Sequence, residues 1–260
     1  ASRKDRMPSK PRSVYRCTEC GADYPKWAGR CDACGAWNSL AEEPAGRRGG
    51  GRGKRGASTA LTPPVRLADL VGEAAARWRT GLAEFDFVLG GGVVPGSLTI
   101  VGGEPGIGKS TLLLQCAARL EAAGVRTLYV SGEESPAQIK LRADRIEEDC
   151  REVRVLGEVR VEAIMAQAAA SKAEIVIVDS IQTTYSEELE GAPGNVGQVR
   201  ECAARLMRFA KESGVAVLLV GHVTRGGVIA GPKTLEHIVD VVLYFEGESS
   251  QDYRVLRAVK

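Results

Sequence analysis

Long hydrophobic runs are missing from this 260-residue sequence. No uninterrupted apolar stretch approaches the roughly 18 residues that a membrane span requires, so we expect no transmembrane helix. The basic start of the sequence is not followed by an apolar core, which argues against a secretory signal and for a cytoplasmic protein. Cysteine is also scarce, since seven residues are too few for a disulfide-dense scaffold.

Charge is unevenly spread along the chain. The net charge is only +2, but residues 1–60 hold 13 Lys and Arg against 6 Asp and Glu, whereas residues 61–260 hold 22 against 27. The basic first part is therefore a candidate for contact with a polyanion. The hydrophobic fraction of 44% suffices for a sizeable core.

Composition divides the chain into four segments. Residues 1–13 form a basic tail that we expect to be disordered, and residues 14–43 hold paired cysteines. Residues 44–60 are dominated by Gly, Arg and Lys with almost no apolar side chains, so they predict a flexible linker. Residues 61–260 alternate Val-, Ile- and Leu-rich runs with helical patterns. This alternation predicts an α/β domain with a mostly parallel sheet covered by helices on both faces.

Local signals place the elements of this α/β domain. Five apolar runs predict strands: SLTIVGG, TLYVSG, VRVLG, EIVIVDS and VAVLLVG. Ser135 with Gln138, and Asn195 with Gln198, have the capping-box spacing of helix starts. The C-terminal runs HIVDVVLYFEG and YRVLRAVK predict an antiparallel hairpin added to the edge of the sheet.

Two matching CxxCG units, Cys17 with Cys20 and Cys31 with Cys34, lie ten residues apart in the second segment. Each unit offers two thiolates from one turn, and its glycine tolerates the positive φ that turns backbone amides toward sulfur. The spacing predicts a four-cysteine zinc ribbon, with a pair of redox dithiols as the alternative. Four protein ligands leave no open position for water, so we expect a structural metal rather than a catalytic one.

The ribbon also contains four aromatic side chains, Tyr15, Tyr24, Trp27 and Trp37. They either cover its small core or stack on nucleic-acid bases, and the first interpretation is favoured. The Arg- and Gly-rich linker has the charge and flexibility to bind nucleic acid, but the same composition also serves only to keep a linker solvated.

A phosphate-binding loop is predicted by GGEPGIGKST, which follows the strand SLTIVG and precedes a helical pattern. Its glycines let several backbone amides face one phosphate, and the helix N-terminus adds its positive end. Lys109 then reaches the β- and γ-phosphate oxygens, Ser110 ligates Mg²⁺ and Thr111 supports it. The strand–loop–helix context disfavours a chance match. Nucleotide binding is assigned to Gly103, Gly106, Gly108, Lys109, Ser110 and Thr111.

Further polar residues at strand ends are candidates for the chemistry of this site. Asp179 ends a buried run, where a carboxylate holds Mg²⁺ through water. If the strand TLYVSG lies beside the P-loop strand, Glu133 or Glu134 deprotonates the attacking water, and we prefer Glu133. Alternatively, both acids complement the N-terminus of the next helix. His222 ends VAVLLVGH and either senses the γ-phosphate or bonds a carbonyl.

Two long loops follow these strands, and loops of this length usually carry function. TRGGVIAGPKTLEH contains Arg225 and Lys233, to which we assign DNA contact because they offer positive charge to a phosphate backbone. TTYSEELEGAPGN contains Glu187, Glu188 and Glu190, which would repel that backbone, and this loop is left unassigned.

These motifs together resemble the RadA (Sms) family of bacterial DNA repair proteins, within the RecA superfamily, over essentially the whole chain. The resemblance is carried by the cysteine ribbon, the glycine-rich linker, TGLAEFDFVLGGGVVPGSLTIVGGEPGIGKST, YVSGEES, IVIVDSIQT and VGHVTRGGVIAGPKTLEHIVD. It implies a RecA-like ATPase that uses ATP or ADP, Mg²⁺ and Zn²⁺ and assembles as a hexameric ring around DNA. It further implies translocation on single strands and branch migration of recombination intermediates, with the RecA recombinase as partner.

The resemblance ends at the last residue. The family continues into a Lys-Asn-Arg-Phe-Gly motif, of which Lys260 alone is a candidate, and into a Lon-protease-like domain without counterpart here. We therefore expect a truncated form that binds nucleotide but hydrolyses it poorly, because the missing Lys and Arg are implied to act on the neighbouring subunit's ATP. Two other functions fit the same P-loop: a regulatory ATPase of the circadian-clock type that acts on protein, and a small-molecule kinase.

Overall fold

The computed structural model describes most of the chain as two units. The described residues are 13–18, 22–44, 66, 77–222, 235–247 and 254–260. Of these, residues 13–18, 22–44 and 66 belong to the first unit, and residues 77–222, 235–247 and 254–260 belong to the second. Most of the predicted tail and of the predicted linker lies outside the described residues, so these segments remain predictions.

The described part of the first unit is a small antiparallel sheet. Its strands are β1 (Ser13–Cys17), β2 (Asp23–Tyr24) and β3 (Leu40–Pro44), in the order β2-β1-β3. Among the side chains whose burial the structure describes in this unit, those that are buried are Cys17, Cys31, Ser39 and Leu40. A module of this size commonly needs another source of stability, and two of the four are predicted metal ligands.

The second unit is an α/β domain. Its helices are α1 (Ala83–Val88), α2 (Lys109–Ala122), α3 (Pro136–Ala143), α4 (Val161–Ala170) and α5 (Val196–Ser213). Its strands are β4 (Leu98–Gly103), β5 (Thr127–Ser131), β6 (Arg154–Gly157), β7 (Ile175–Asp179), β8 (Ala216–His222), β9 (Val241–Glu246) and β10 (Val255–Ala258). The five predicted strands and the C-terminal hairpin are all present.

The seven strands form one sheet in the order β10-β9-β4-β8-β7-β5-β6. Every neighbouring pair is parallel except β9 and β10, which form the predicted antiparallel hairpin at the edge. The condition attached to Glu133 and Glu134, that β5 lies beside the P-loop strand β4, is not met, because β8 and β7 lie between them. The carboxyl ends of these parallel strands still meet at one edge, which is where ligands bind in open α/β sheets.

Helices cover both faces of the sheet, as the alternation predicted. Along β7, Val176 and Val178 pack in one core with α4 and α5, whereas Ile175 and Ile177 pack in a second core with α1, α2 and α3. Successive strand residues point to opposite faces, so a run that is apolar at every position requires cover on both sides. None of the helices in the described residues is both long and apolar enough to cross a membrane.

One of the two predicted capping boxes is present. Ser135 caps α3 with both reciprocal bonds to Gln138 in place. Asn195 caps α5 by accepting a hydrogen bond from the Gly197 amide, but the prediction for Gln198 is wrong. The side chain of Gln198 is buried, and its Oε1 accepts a hydrogen bond from the Ser186 amide (2.8 Å) instead. The loop before α5 folds over the start of the helix, and the backbone of that loop needs a partner.

Candidate functional site

The loop between β4 and α2 has the backbone that a phosphate cradle needs. Gly106 and Gly108 have φ of +81° and +109°, a region that other residues rarely adopt. Gly103 is required for space, because a Cβ there would lie 2.5 Å from the carbonyl oxygen of Phe245 on β9. The three glycines therefore shape the loop for two different reasons.

Lys109 is folded back into this loop and is only 3% exposed. Its Nζ donates hydrogen bonds to the carbonyl oxygens of Gly103 (2.8 Å) and Glu104 (2.9 Å). Burial lowers the pKa of Lys109, while the negative charges of Asp179 and Glu133 act in the opposite direction and raise it. The ammonium group is thus held at the loop, close to two carboxylates.

The N-terminus of α2 offers its amides to an anion. Its N-cap is Gly108, which supplies no side-chain cap, and the first turn holds no acidic residue. Ser110 and Thr111 occupy that first turn with half-buried side chains. Uncapped amides at a helix start, with the helix dipole behind them, bind phosphate well. The residues assigned to nucleotide binding therefore lie together in a form that fits a phosphate chain.

Asp179 ends β7 at the same edge and is only 3% exposed. Its Oδ2 accepts a 2.6 Å hydrogen bond from the hydroxyl of Tyr129 on β5. Its Oδ1 is buried and has no hydrogen-bond partner among the described residues. A buried carboxylate oxygen without a partner is costly unless a cation or its water satisfies it, so the donor set fits Mg²⁺.

Glu133 lies at the carboxyl edge although β5 is not adjacent to β4. Its Oε1 accepts a hydrogen bond from Ser180 Oγ (2.6 Å) and lies 2.9 Å from His222 Nε2. Burial raises the pKa of Glu133, but the hydrogen bonds from Ser180 and His222, together with the charges of His222 and Lys109, leave it below its usual value. An ionised carboxylate is what a general base requires.

The neighbouring acid has a different environment. Glu134 pairs with Arg142 Nη2 on α3 at 2.9 Å, so its carboxylate is engaged with a guanidinium. This difference supports the choice of Glu133 as the base, which stays a prediction. His222 contacts Glu133 rather than a carbonyl, so the carbonyl alternative is not what the structure has. Its Nδ1 is buried without a partner in the described part of the chain.

The sequence interpretation missed Tyr129, Ser180 and Arg142. Ser180 follows Asp179 directly and was a visible polar neighbour of a strand end. Tyr129 is the central residue of an apolar strand and looked like core. The pairing of Tyr129 with Ile177 and of Ser131 with Asp179 brings the tyrosine to the aspartate, and this register is not readable from sequence.

The cysteine ribbon brings its ligands together. The Sγ atoms of Cys17, Cys31 and Cys34 all lie within 4.8 Å of one another, and those of Cys17 and Cys34 are 3.7 Å apart. Tetrahedral zinc with Zn–S bonds of about 2.3 Å places its sulfurs about 3.8 Å apart, so the spacing fits. Gly35 has the expected positive φ of +76°. Cys20, the fourth predicted ligand, lies outside the described residues.

The tryptophans do not form the core of the ribbon. Trp27 is 57% exposed and Trp37 is 71% exposed, with the guanidinium of Arg30 over the Trp37 ring at 5.7 Å from its centroid. Tyr24 is partly buried, and its hydroxyl lies 3.3 Å from Cys31 Sγ. The interpretation of these rings as core cover is therefore wrong for both tryptophans, which face solvent in the described structure.

The loops assigned to DNA give a partial result. Arg225 and Lys233 lie outside the described residues, so their assignment remains a prediction. In the acidic loop, Glu188 pairs with Arg205 at 2.5 Å, so part of its negative charge is neutralised within the domain.

Comparison with known families supports this site. Residues 80–228, more than half of the chain, match the family described as AAA domain. The chain belongs to the AAA domain family. This AAA domain contains the P-loop, Glu133, Asp179 and His222. Residues 15–42, which contain the cysteines, match the family described as rubredoxin metal binding domain. These two matches and the parallel sheet confirm the prediction of an α/β RecA-like core preceded by a zinc ribbon.

The chain is also similar to several curated proteins named DNA repair protein RadA. It is 50% identical to that of Pseudomonas aeruginosa over 252 residues, which cover 97% of the chain and 55% of the relative. It is 48% identical to that of Bacillus subtilis over 257 residues and 47% identical to that of Brucella abortus over 259, each covering 97% of the chain and 56% of the relative. The resemblance seen in the motifs is confirmed, and the chain spans about half the length of these relatives.

Proposed function

We propose that this protein is a Mg²⁺-dependent ATPase of DNA repair. The observation that carries the proposal is the meeting of Lys109, Glu133 and Asp179 at the carboxyl edge of one parallel sheet. One residue offers positive charge to phosphate, one is an ionised candidate base, and one has an unpartnered oxygen for a metal. Together they supply the parts that phosphoryl transfer to water requires.

Each residue has one role in the proposed reaction. The amides at the start of α2 and the ammonium group of Lys109 bind the β- and γ-phosphates. Ser110 and Asp179 hold Mg²⁺, which when bound neutralises charge that develops on the phosphate oxygens. Glu133 accepts the proton of the attacking water, and Ser180 and His222 hold its carboxylate in place. His222, at the end of β8, is proposed to sense the γ-phosphate and to pass its state to the loop that follows.

The finer assignment follows the relatives, which are named DNA repair proteins. We propose that the protein binds single-stranded or branched DNA through Arg225 and Lys233 and works in the cytoplasm. By the same likeness, we propose that it acts as a hexameric helicase motor in recombination, with RecA recombinase as partner and branch migration as the outcome. These proposals are drawn from relatives whose full length is about twice the part that this chain matches.

The Glu133→Gln variant tests the chemical step. We expect hydrolysis to slow by roughly a hundredfold or more while ATP affinity changes little, because glutamine keeps the shape and cannot accept a proton. The measurement is single-turnover hydrolysis of labelled ATP with protein in excess, alongside equilibrium binding of the same nucleotide. Glu134→Gln is the matched control. If Glu134→Gln shows the slow phenotype instead, the base has been assigned to the wrong neighbour.

DNA binding is tested by its dependence on salt. We expect a labelled single-stranded oligonucleotide to bind with an affinity that falls steeply as salt rises. The Arg225→Ala, Lys233→Ala double variant should weaken binding and reduce the slope of log K against log salt by about 1.4, since each lost phosphate contact on a single strand removes about 0.7. Fluorescence anisotropy measures both quantities.

The control for DNA binding replaces one lysine and one arginine elsewhere. Lys140 and Arg151 are exposed on the second unit, and their alanine variants should bind DNA as the unchanged protein does. Equal losses in both double variants would mean that the contact is unspecific. If the unchanged protein does not bind the oligonucleotide, or binds it with an affinity that does not depend on salt, the DNA assignment is removed. The kinase or the protein-directed ATPase is then favoured.

A further inference from the structure

A chain of hydrogen bonds and ion pairs runs from the surface of α3 to Asp179. Glu134 pairs with Arg142 Nη2 at 2.9 Å, and the same Nη2 donates to the Tyr129 hydroxyl at 3.1 Å. That hydroxyl donates in turn to Asp179 Oδ2 at 2.6 Å. The Arg142 guanidinium also lies 5.8 Å from the centroid of the Tyr129 ring. Three side chains, those of Glu134, Arg142 and Tyr129, are thus linked in series to the Asp179 carboxylate that we assign to the metal.

The direction of these bonds is fixed by chemistry. A guanidinium has donors and no acceptor, so the Tyr129 oxygen accepts from Arg142, and its single hydrogen is left to donate elsewhere. The Asp179 carboxylate at 2.6 Å is a closer acceptor than the Ser110 carbonyl at 3.3 Å. The Tyr129 hydroxyl therefore donates its hydrogen to Asp179 Oδ2. The other oxygen, Oδ1, is buried with no hydrogen-bond partner among the described residues.

A purely apolar role does not account for the hydroxyl group. Tyr129 is 0% exposed and packs in the core formed with α1, α2 and α3, where phenylalanine would fill nearly the same volume. A buried hydroxyl costs free energy unless it is hydrogen-bonded, and here it bonds the carboxylate at the end of β7. The hydroxyl is placed where it acts on the orientation of Asp179.

We propose that Tyr129, held by Arg142 and Glu134, is a positioning residue that fixes the Asp179 carboxylate so that its Oδ1 serves the Mg²⁺ of the nucleotide site. The proposal rests on the proposed ATPase function. Groups that orient a metal-holding side chain change metal affinity by about 10- to 100-fold when they are removed. The bond to Oδ2 prevents the carboxylate from rotating, so Oδ1 keeps one position.

The test is the Mg²⁺ dependence of nucleotide binding in the Tyr129→Phe variant. Fluorescence of a methylanthraniloyl derivative of ADP is followed as Mg²⁺ is added. We expect the variant to require about tenfold more Mg²⁺ for half-maximal binding. Affinity in excess chelator should be unchanged, and saturating Mg²⁺ should restore the affinity of the unchanged protein. A structural defect would not be rescued by the metal.

A second tyrosine in the same sheet is the matched control. Tyr244 on β9 donates its hydroxyl to Glu236 Oε1 at 3.2 Å, so Tyr244→Phe also removes one tyrosine–carboxylate bond. This variant should keep the original Mg²⁺ requirement. Arg142→Met should shift the requirement in the same direction as Tyr129→Phe by a smaller factor, because the hydroxyl remains but is no longer oriented.

The outcomes separate this proposal from the function on which it rests. A Tyr129→Phe variant with an unaltered Mg²⁺ requirement, or with an equal loss of affinity with and without Mg²⁺, overturns the positioning role while the ATPase proposal stands. An unaltered requirement in Arg142→Met overturns the part given to Arg142 and Glu134. If the unchanged protein itself binds ADP without regard to Mg²⁺, or does not bind it, both proposals fail.

Discussion

Replacing Lys109 with alanine is expected to weaken the binding of ATP and ADP by about a hundredfold or more. The variant loses the ammonium group that lies between the carbonyls of Gly103 and Glu104, within reach of a phosphate chain at the start of α2. With nucleotide bound, this ammonium group would donate to phosphate oxygens, and two such hydrogen bonds from a charged donor contribute roughly 3 kcal/mol or more, which is about a hundredfold or more in Kd. Isothermal titration calorimetry with ADP and Mg²⁺ measures the change.

The control for Lys109 is a lysine outside the site that also has a close oxygen partner. Lys211 on α5 pairs with Asp240 Oδ2 at 2.8 Å, and Lys211→Ala should bind ADP normally. Because Lys109 is buried, Lys109→Met is a second variant that keeps the aliphatic volume and removes only the charge. In both Lys109 variants the second unit should still unfold cooperatively on heating, which shows that it is folded. Near-normal Kd values in either variant would contradict the phosphate site and every step proposed from it.

Local patterns predicted the elements of the AAA domain and the side chains at strand ends. Each of Lys109, Asp179 and His222 is fixed by a motif or by the last residue of an apolar run, so its position along the chain implies its place at the carboxyl edge. Strand boundaries come from the same local signal. The helices on both faces follow from strands that are apolar at every position.

Non-local pairing could not be predicted in this way. The strand order places β8 and β7 between β4 and β5, and this order depends on how the helical crossovers pack rather than on any single segment. The contact of Glu133 with His222 joins residues 89 apart in sequence. From sequence alone, Tyr129 is indistinguishable from a core residue, because an apolar strand gives no sign that one hydroxyl bonds a carboxylate. Only the register with β7 places it beside Asp179.

The two carboxylates of the site are held by different side chains, as a consequence of the non-local pairing of the strands. Asp179 is held from β5 and α3 through Tyr129 and Arg142, whereas Glu133 is held by Ser180 and His222. Metal affinity and proton transfer should therefore respond to different substitutions. Glu133→Gln should alter the rate without altering the Mg²⁺ requirement, and Tyr129→Phe should alter the Mg²⁺ requirement first.

Removing zinc is expected to unfold the ribbon and leave the AAA domain folded. Among the side chains whose burial the structure describes in the first unit, those buried are Cys17, Cys31, Ser39 and Leu40, and a module of this size commonly needs metal to fold. Structural zinc supplies on the order of 10 kcal/mol in modules of this size. We expect about one zinc per chain by elemental analysis. After chelation, limited proteolysis should cut within residues 15–42 and spare residues 77–222.

Cysteine variants separate the metal centre from the other thiols. Cys31→Ser should lose zinc and become sensitive to protease in the ribbon, because its Sγ lies in the cluster with Cys17 and Cys34. Cys150→Ser is the control, since Cys150 is a half-buried free thiol of the other unit and should retain full zinc content. Nucleotide binding should survive in both variants. A Cys31→Ser protein with full zinc would contradict the assignment of Cys31 as a ligand. An unchanged protein with oxidised cysteine pairs and no zinc would replace the metal centre with the redox alternative.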